Sequence, residues 1–253
     1  MQFTNQTTAR KQAKVSYLGS INSSAKMIKN KKVSNNYTYI IYLAPAKTSG
    51  YNVCSHSTPE CRMGCLANSG RVKVEDYAGK SKIKSARIKK TMLFFEQPDF
   101  FMAWMISEMK SFQKKAEKDG YAFSARLNGT SDIDWANVGA YGETIFDIFP
   151  EVQFYDYTKN PAKFKNKPSN YHLTFSYTGR NWHVCEAILN AGFNVAVVFD
   201  TKKNEALPAT FRGYEVINGD LTDYRPLDGN GVIVGLHYKE SANKTVNEDM
   251  QNS

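Results

Sequence analysis

Hydrophobic and polar positions divide the chain into segments of different period. Residues 1–36 are polar, rich in Lys, Asn, Ser and Thr, and read as a basic N-terminal arm with a short strand near Val15–Leu18. At Tyr37 the pattern changes. Tyr37-Thr-Tyr-Ile-Ile-Tyr-Leu-Ala44 is a continuous aromatic and β-branched run stopped by Pro45, which predicts a buried strand. A loop over residues 46–74 follows. Residues 75–96 are Lys-rich, with apolar positions at Ile83, Ala86, Ile88, Met92 and Phe95, and predict a helix. Pro98 opens a second helix over 98–118, whose Phe101, Met102, Met105, Ile106, Met109 and Phe112 recur at helical spacing and predict a core-facing stripe. Asp119-Gly120 ends it.

Beyond residue 120 strands are predicted at Ala122–Leu127, Gln153–Tyr157, His172–Ser176, Val195–Phe199, Glu215–Ile217 and Val232–His237. Helical patterns lie between several of them, at Ile133–Phe149 and Asn181–Ala191. Strands 122–127 and 195–199 are apolar almost throughout, as in parallel sheets covered on both faces. Alternation of strand and helix predicts an α/β fold with mainly parallel strands: one single-domain, partly open α/β barrel over residues 37–239, with a polar tail at 240–253. An open doubly wound sheet is the competing architecture. There is no internal repeat and no linker.

Polar residues gather where each predicted strand ends: Arg126-Leu-Asn-Gly-Thr-Ser-Asp132, Asp156-Tyr-Thr-Lys159, Ser176-Tyr-Thr-Gly-Arg180, Asp200-Thr-Lys202, Asn218-Gly-Asp220 and His237-Tyr-Lys239. In α/β folds ligands bind at the carboxyl ends of the strands, so these clusters predict a polar small-molecule pocket on one rim. Its candidate residues are Arg71, Arg126, Asn128, Thr130, Asp132, Asp156, Lys159 and Arg180. The bland alternative is that loops are polar, with Asp132 capping a helix and Asp200 or Asp220 in turns.

The sharpest chemical signal is Cys54-Ser-His-Ser-Thr-Pro-Glu-Cys61-Arg-Met-Gly-Cys65, with three of the four cysteines inside twelve residues. In a reducing compartment such thiols are metal-binding or catalytic rather than cross-linked. Three readings stand. A [4Fe–4S] cluster would take Cys54, Cys61 and Cys65 and leave one iron without a protein cysteine. Zinc would need a fourth ligand, from Cys185 or His56. Ordinary buried cysteines with a chance disulfide are the third. His172, inside a strand, and His237, at the end of one, read as core or rim histidines. G-x-S-x-G, Walker A, H-E-x-x-H and G-x-G-x-x-G patterns do not occur.

Composition narrows the class further. Of 253 residues, 42% are hydrophobic and 23% charged, as in a globular protein. No apolar run approaches the roughly 18–20 residues of a membrane span, and the N-terminus has no apolar leader core, so no membrane association and a cytoplasmic location are expected. The net charge is +9, unevenly spread: residues 1–118 hold 21 Lys/Arg and 7 Asp/Glu, residues 119–253 hold 12 and 17. The basic first half could meet nucleic acid, or could be a set of solvated lysine faces.

A strand followed by a three-cysteine loop at the head of a βα series resembles the radical S-adenosylmethionine enzymes. Their usual spacing is C-x3-C-x2-C, whereas this chain has C-x6-C-x3-C. The resemblance implies a cluster whose fourth iron takes S-adenosylmethionine, or electron transfer through the cluster. A second resemblance runs from Tyr39 to Lys239. Tyr42-Leu-Ala-Pro-Ala-Lys-Thr-Ser-Gly-Tyr-Asn52, Cys65-Leu-Ala-Asn-Ser-Gly-Arg71, Arg126-Leu-Asn-Gly-Thr-Ser-Asp132, Phe149-Pro-Glu-Val-Gln-Phe-Tyr-Asp-Tyr-Thr-Lys159 and Val195-Ala-Val-Val-Phe199 look like the phage-encoded gene product 88 family. It implies a viral source and action in the host cytoplasm, but brings no reaction. Two functions follow: a phage iron–sulfur protein with a rim pocket, or a zinc-stabilised nucleic-acid-binding protein of phage replication or host takeover.

Overall fold

The computed structural model describes residues 5–21, 25–63, 65, 81–140, 142–202 and 204–238. The lead-in holds α1 (Gln6–Ala13), β1 (Gly19–Ser20) and α2 (Ala25–Ser34), followed by β2 (Asn36–Ile41). The cysteine loop contains the single-turn helix α3 (Pro59–Met63). Then come α4 (Lys82–Glu96), α5 (Pro98–Lys118), β3 (Ala122–Arg126), the short hairpin β4 (Gly139–Ala140) and β5 (Glu143–Thr144), and α6 (Ile145–Ile148). The second half runs β6 (Gln153–Thr158), β7 (Tyr171–Ser176), α7 (Trp182–Asn190), β8 (Asn194–Phe199), β9 (Thr210–Phe211), β10 (Tyr214–Asn218) and β11 (Ile233–His237).

Among the described residues nine strands form one sheet in the order β1-β2-β3-β6-β7-β8-β11-β10-β9. The seven from β2 to β10 are mutually parallel, and the two-residue edge strands β1 and β9 are antiparallel to their neighbours. The expected α/β class with mainly parallel strands holds. The expected barrel does not: the sheet is open, because short antiparallel strands end it on both sides and β11 enters between β8 and β10.

Neighbouring parallel strands place facing residues on one side of the sheet. Tyr37, Tyr39, Ala125, Phe154, Leu173, Val195 and Ile233 look toward the helical layer, and all are buried. That layer is built on α5. Pro98 occupies its first turn, Gly120 follows it with φ 74°, and Phe101, Met102, Trp104, Met105 and Met109 are fully buried against β2 and β3. Each such side chain contributes roughly 1.5–3 kcal/mol of burial. Phe94 of α4 meets Phe101 and Trp135 edge-on, with both pairs of centroids 5.3 Å apart, so the helical layer is continuous to the turn after β3.

The opposite face is polar. Asn36, Thr38, Ser124 and Tyr155 form a buried hydrogen-bonded row there. Asn30 of α2 donates to Thr38 Oγ1 at 3.1 Å and to Tyr155 Oη at 2.9 Å, and Ser124 donates to Asn36 Oδ1 at 2.5 Å. The segment 219–228 crosses this face, and Asp223 N and Thr222 Oγ1 both donate to Asn30 Oδ1.

Two expectations change. The lead-in is folded into two helices and an edge strand, with Ala9, Val15, Leu18 and Ile21 buried. Its strand lies at Gly19–Ser20, just past Val15–Leu18. Residues 133–149 are not one helix. Asn128 Oδ1 accepts from Ile133 N at 2.9 Å and from Trp135 Nε1 at 3.2 Å, which turns the chain inward, and Gly142 at φ 85° then makes the β4–β5 hairpin. Only Ile145–Ile148 is α-helical, capped reciprocally by Thr144 and Asp147. The expected tail at 240–253 and Lys239 lie outside the described residues.

Candidate functional site

The cysteine loop begins where β2 stops at the Ala44–Pro45 bend. Val53 is buried, and its N–H donates to Ala46 O at 3.1 Å, closing a compact turn. Cys54 Sγ accepts from Ala46 N at 3.5 Å and its thiol donates to Thr130 O at 4.0 Å. Ser57 N and Oγ both donate to Cys54 O. Thr58 Oγ1 then accepts from Cys61 N at 3.1 Å, starting α3. The loop is fastened to the end of β3 by Asp132 N, which donates to Val53 O at 2.7 Å, and by Thr130 Oγ1, which donates to Leu43 O at 2.6 Å. These bonds set it over the carboxyl ends of β2 and β3.

None of Cys54, Cys61 and Cys65 is in a disulfide, and all three are half-buried. Burial pushes the Cys54 thiol up to about 11, and the negative charges of Asp132, Cys65 and Cys61 push the same way. The three thiols therefore share one electrostatic neighbourhood. Arg87 of α4 lies beside it: Cys65 acts on its guanidinium, which sits over the Tyr42 ring at 5.0 Å. Arg180, in the loop after β7, acts on Glu60 of α3, so a third strand end reaches the cysteine loop. Among the described residues no three His, Cys, Asp or Glu side chains stand together as a ready metal-ligand group. The loop is thus not a preformed cage. Of the two fourth-ligand candidates, His56 is exposed, with Nδ1 2.9 Å from Ser55 Oγ, and Cys185 is buried in α7 with its thiol pushed up to about 12 by burial.

The rim candidates separate into three groups. Asn128, Thr130, Asp132, Asp156 and Lys159 come together in one network. Asp156 accepts from Asn128 N at 2.9 Å and from Tyr171 Oη at 2.9 Å, bridging β3 and β7 beyond the point where β3 and β6 cease to pair. Burial lifts its carboxyl to about 6 against the pull of Arg126 and these donors. Asp132 accepts from Thr158 Oγ1 at 2.8 Å, Lys159 N at 2.9 Å and buried Lys163 Nζ at 2.5 Å. These carboxylates are engaged in holding strand ends together. Arg180 is exposed beside α3. Arg126 faces away from the cysteine loop, onto the polar side of the sheet, where it donates to Asp223 at 2.6 Å and lies 5.0 Å over the Tyr157 ring. Arg71 lies outside the described residues.

Sequence reasoning missed Lys163, Asp223 and Arg225. Arg225 is fully buried beneath Gly219, with Nε 3.3 Å from Asp228 Oδ2. Lys163 and Asp223 carry no local signal, because their partners Asp132 and Arg126 lie in separate segments, whereas Arg225 pairs with Asp228 three residues on. His237, four strands along from β3, places Nδ1 2.9 Å from Asp220 Oδ2 and Nε2 3.0 Å from Glu205 O. Both ring nitrogens are engaged, and the Glu205 carbonyl, then Asp220, raises its pKa. It is a clasp rather than a base.

Gly129 allows the loop and β2 to approach this closely. A Cβ there would stand 2.5 Å from Ile41 O and 2.8 Å from the Tyr42 ring. Gly129→Ala is expected to destabilise the protein by about 1–3 kcal/mol through overpacking. It should also speed alkylation of Cys54, because the Thr130 and Asp132 ties shift with it; an unchanged urea midpoint and alkylation rate would remove this role.

No described helix is long and apolar enough to cross a membrane. Comparison with curated proteins and with solved structures gives no match. A family model described as gene product 88 matches residues 3–248, nearly the whole chain. The chain belongs to the gene product 88 family, a family of phage gene products.

Proposed function

We propose that this is an iron–sulfur protein in which Cys54, Cys61 and Cys65 hold a [4Fe–4S] cluster at the carboxyl-end rim of the sheet. The observation that carries the reading is the position of Cys54 over the ends of β2 and β3 with Cys61 and Cys65 both within its electrostatic reach. Thiolates at Cys61 and Cys65 oppose ionisation of Cys54; a bound cation reverses that balance and stabilises thiolate ligands. Since the sulfurs do not stand as a ready cage, loading has to draw the loop around the cluster. Three cysteines leave one iron open to a small polar ligand, with Lys159 and Arg180 at the same rim. S-adenosylmethionine is one such ligand, and electron transfer is the alternative use of the cluster.

Metal analysis of anaerobically purified protein tests this. The expected result is about four iron and about four sulfide per chain, a broad visible absorption, and loss of both in the Cys54→Ala/Cys61→Ala/Cys65→Ala variant. A change in the EPR spectrum of the reduced protein on adding S-adenosylmethionine would mark the open iron. About one zinc without sulfide would overturn the cluster in favour of a structural zinc site, and protein without metal would retire both.

A further inference from the structure

Strand order follows chain order across most of the sheet, so residues close in sequence stay on one side of the molecule. The uneven charge of the sequence is therefore uneven in space. Of the 21 lysines and arginines in residues 1–118, 12 lie on α1 with its cap residue Lys14, on α4 and on α5, while α2 on the opposite face of the sheet carries four. Both α1 and α4 pack on α5, with Gln6 Nε2 donating to Ser107 O at 3.2 Å. On α1, α4 and α5 with the cap residues Lys14 and Asp119, ten exposed lysines and arginines stand beside four exposed carboxylates, Glu96, Asp99, Glu117 and Asp119. Lys110, Lys114 and Lys118 recur every four residues along α5 and so form one exposed stripe, rising about 6 Å from each to the next. Among the described residues none of these three is in an ion pair, whereas neighbouring Lys115 is held by Asp119 at 2.8 Å.

Lysines act as point charges that meet phosphates without reading bases. A row of unpaired ammonium groups on packed, rigid helices matches a regular polyanion, and the surplus of cations opposes binding to basic or neutral surfaces. We propose that the α1–α4–α5 face binds the phosphate backbone of duplex DNA without sequence preference, with Lys110, Lys114 and Lys118 as its central contacts. The face lies apart from Cys54, Cys61 and Cys65 in the sequence and contains none of them, so it stands or falls independently of the cluster.

Fluorescence anisotropy of the full-length protein with a labelled duplex of about 20 base pairs, from about 50 to about 200 mM salt, tests it. The log–log salt slope is expected at about −4 to −6, the same for unrelated duplex sequences. Lys110→Gln/Lys114→Gln/Lys118→Gln should reduce the magnitude of the slope by about 3 and weaken binding at least tenfold at low salt, while its melting temperature stays within about 2 °C because the side chains are exposed. Lys165→Gln/Lys202→Gln, exposed positions in the acidic half, should leave binding unchanged. No binding at about 50 mM salt, an unchanged slope in the triple variant, or equal losses in both variants would overturn the proposal.

Discussion

Replacing Glu108 by alanine is expected to cost about 3–5 kcal/mol and to release the N-terminal lead-in. Glu108 is buried in α5, and its carboxylate accepts from Leu18 N at 3.0 Å, Gly19 N at 3.0 Å and Tyr39 Oη at 2.8 Å. Burial raises its pKa, and these donors together with Lys90 oppose the rise. Lys90 is itself buried, its pKa brought down to about 8 by desolvation, and donates to Leu18 O at 2.7 Å. Alanine leaves three donors without an acceptor and a buried ammonium without its counter-charge, together a cost of about 3–5 kcal/mol. Glu108→Gln, which keeps an acceptor and the shape, should lose about half as much. Urea unfolding measures the loss, and hydrogen exchange at Leu18 and Gly19 locates it. A midpoint shift worth under about 1 kcal/mol would show that the lead-in is held by its apolar residues alone.

The second large effect is a dependence on acid carried by His172. Desolvation, with Lys167 and Arg225 nearby, lowers its pKa from 6.5 to about 4. Between these values the unfolded chain binds more protons than the folded one, so this histidine makes stability fall as pH drops from 6.5 toward 4. Asp156 and Asp228 act in the opposite sense. Burial raises each to about 6, so the folded chain holds more protons and gains stability as pH falls through 6. The wild-type profile is thus a partial cancellation. Comparing His172→Gln with wild type isolates one side of it: at about pH 4.5 the variant should gain about 2–3 kcal/mol relative to its position at about pH 7. Parallel pH profiles for the two proteins would exclude a buried neutral histidine.

The strands were readable because buried parallel strands are written as β-branched and aromatic runs, and six of the seven parallel strands fall within one residue of their expected ends at both termini. Helix 98–118 was readable for a similar reason, with a proline at one end, a glycine at the other and one apolar stripe between. The lead-in was not. Its order derives from a carboxylate 90 residues away, which polar local composition conceals. Nor could closure of the sheet be read, since it depends on whether two edges meet. The candidate site was half legible. An arginine inside an apolar strand did mark a buried charged group, but alternation between Ala125, Arg126 and Leu127 puts it on the face opposite the core, and its partner Asp223 stands 97 residues on. The carboxylates at the strand ends, Asp132 and Asp156, have hydrogen-bond partners that make them struts between strands.

Asn30 has a consequence for the time course of folding. Its amide joins α2 to Thr38, Tyr155, Thr222 and Asp223, the last across 193 residues of sequence. During synthesis the polar face of β2, β3 and β6 therefore waits uncovered until segment 219–228 leaves the ribosome. Closing so long a loop carries a large entropic cost before any contact offsets it. Nascent chains halted before residue 219 should accordingly remain open to chaperones and proteases, and the folded lifetime of the protein should be decided by how rarely that last segment lifts.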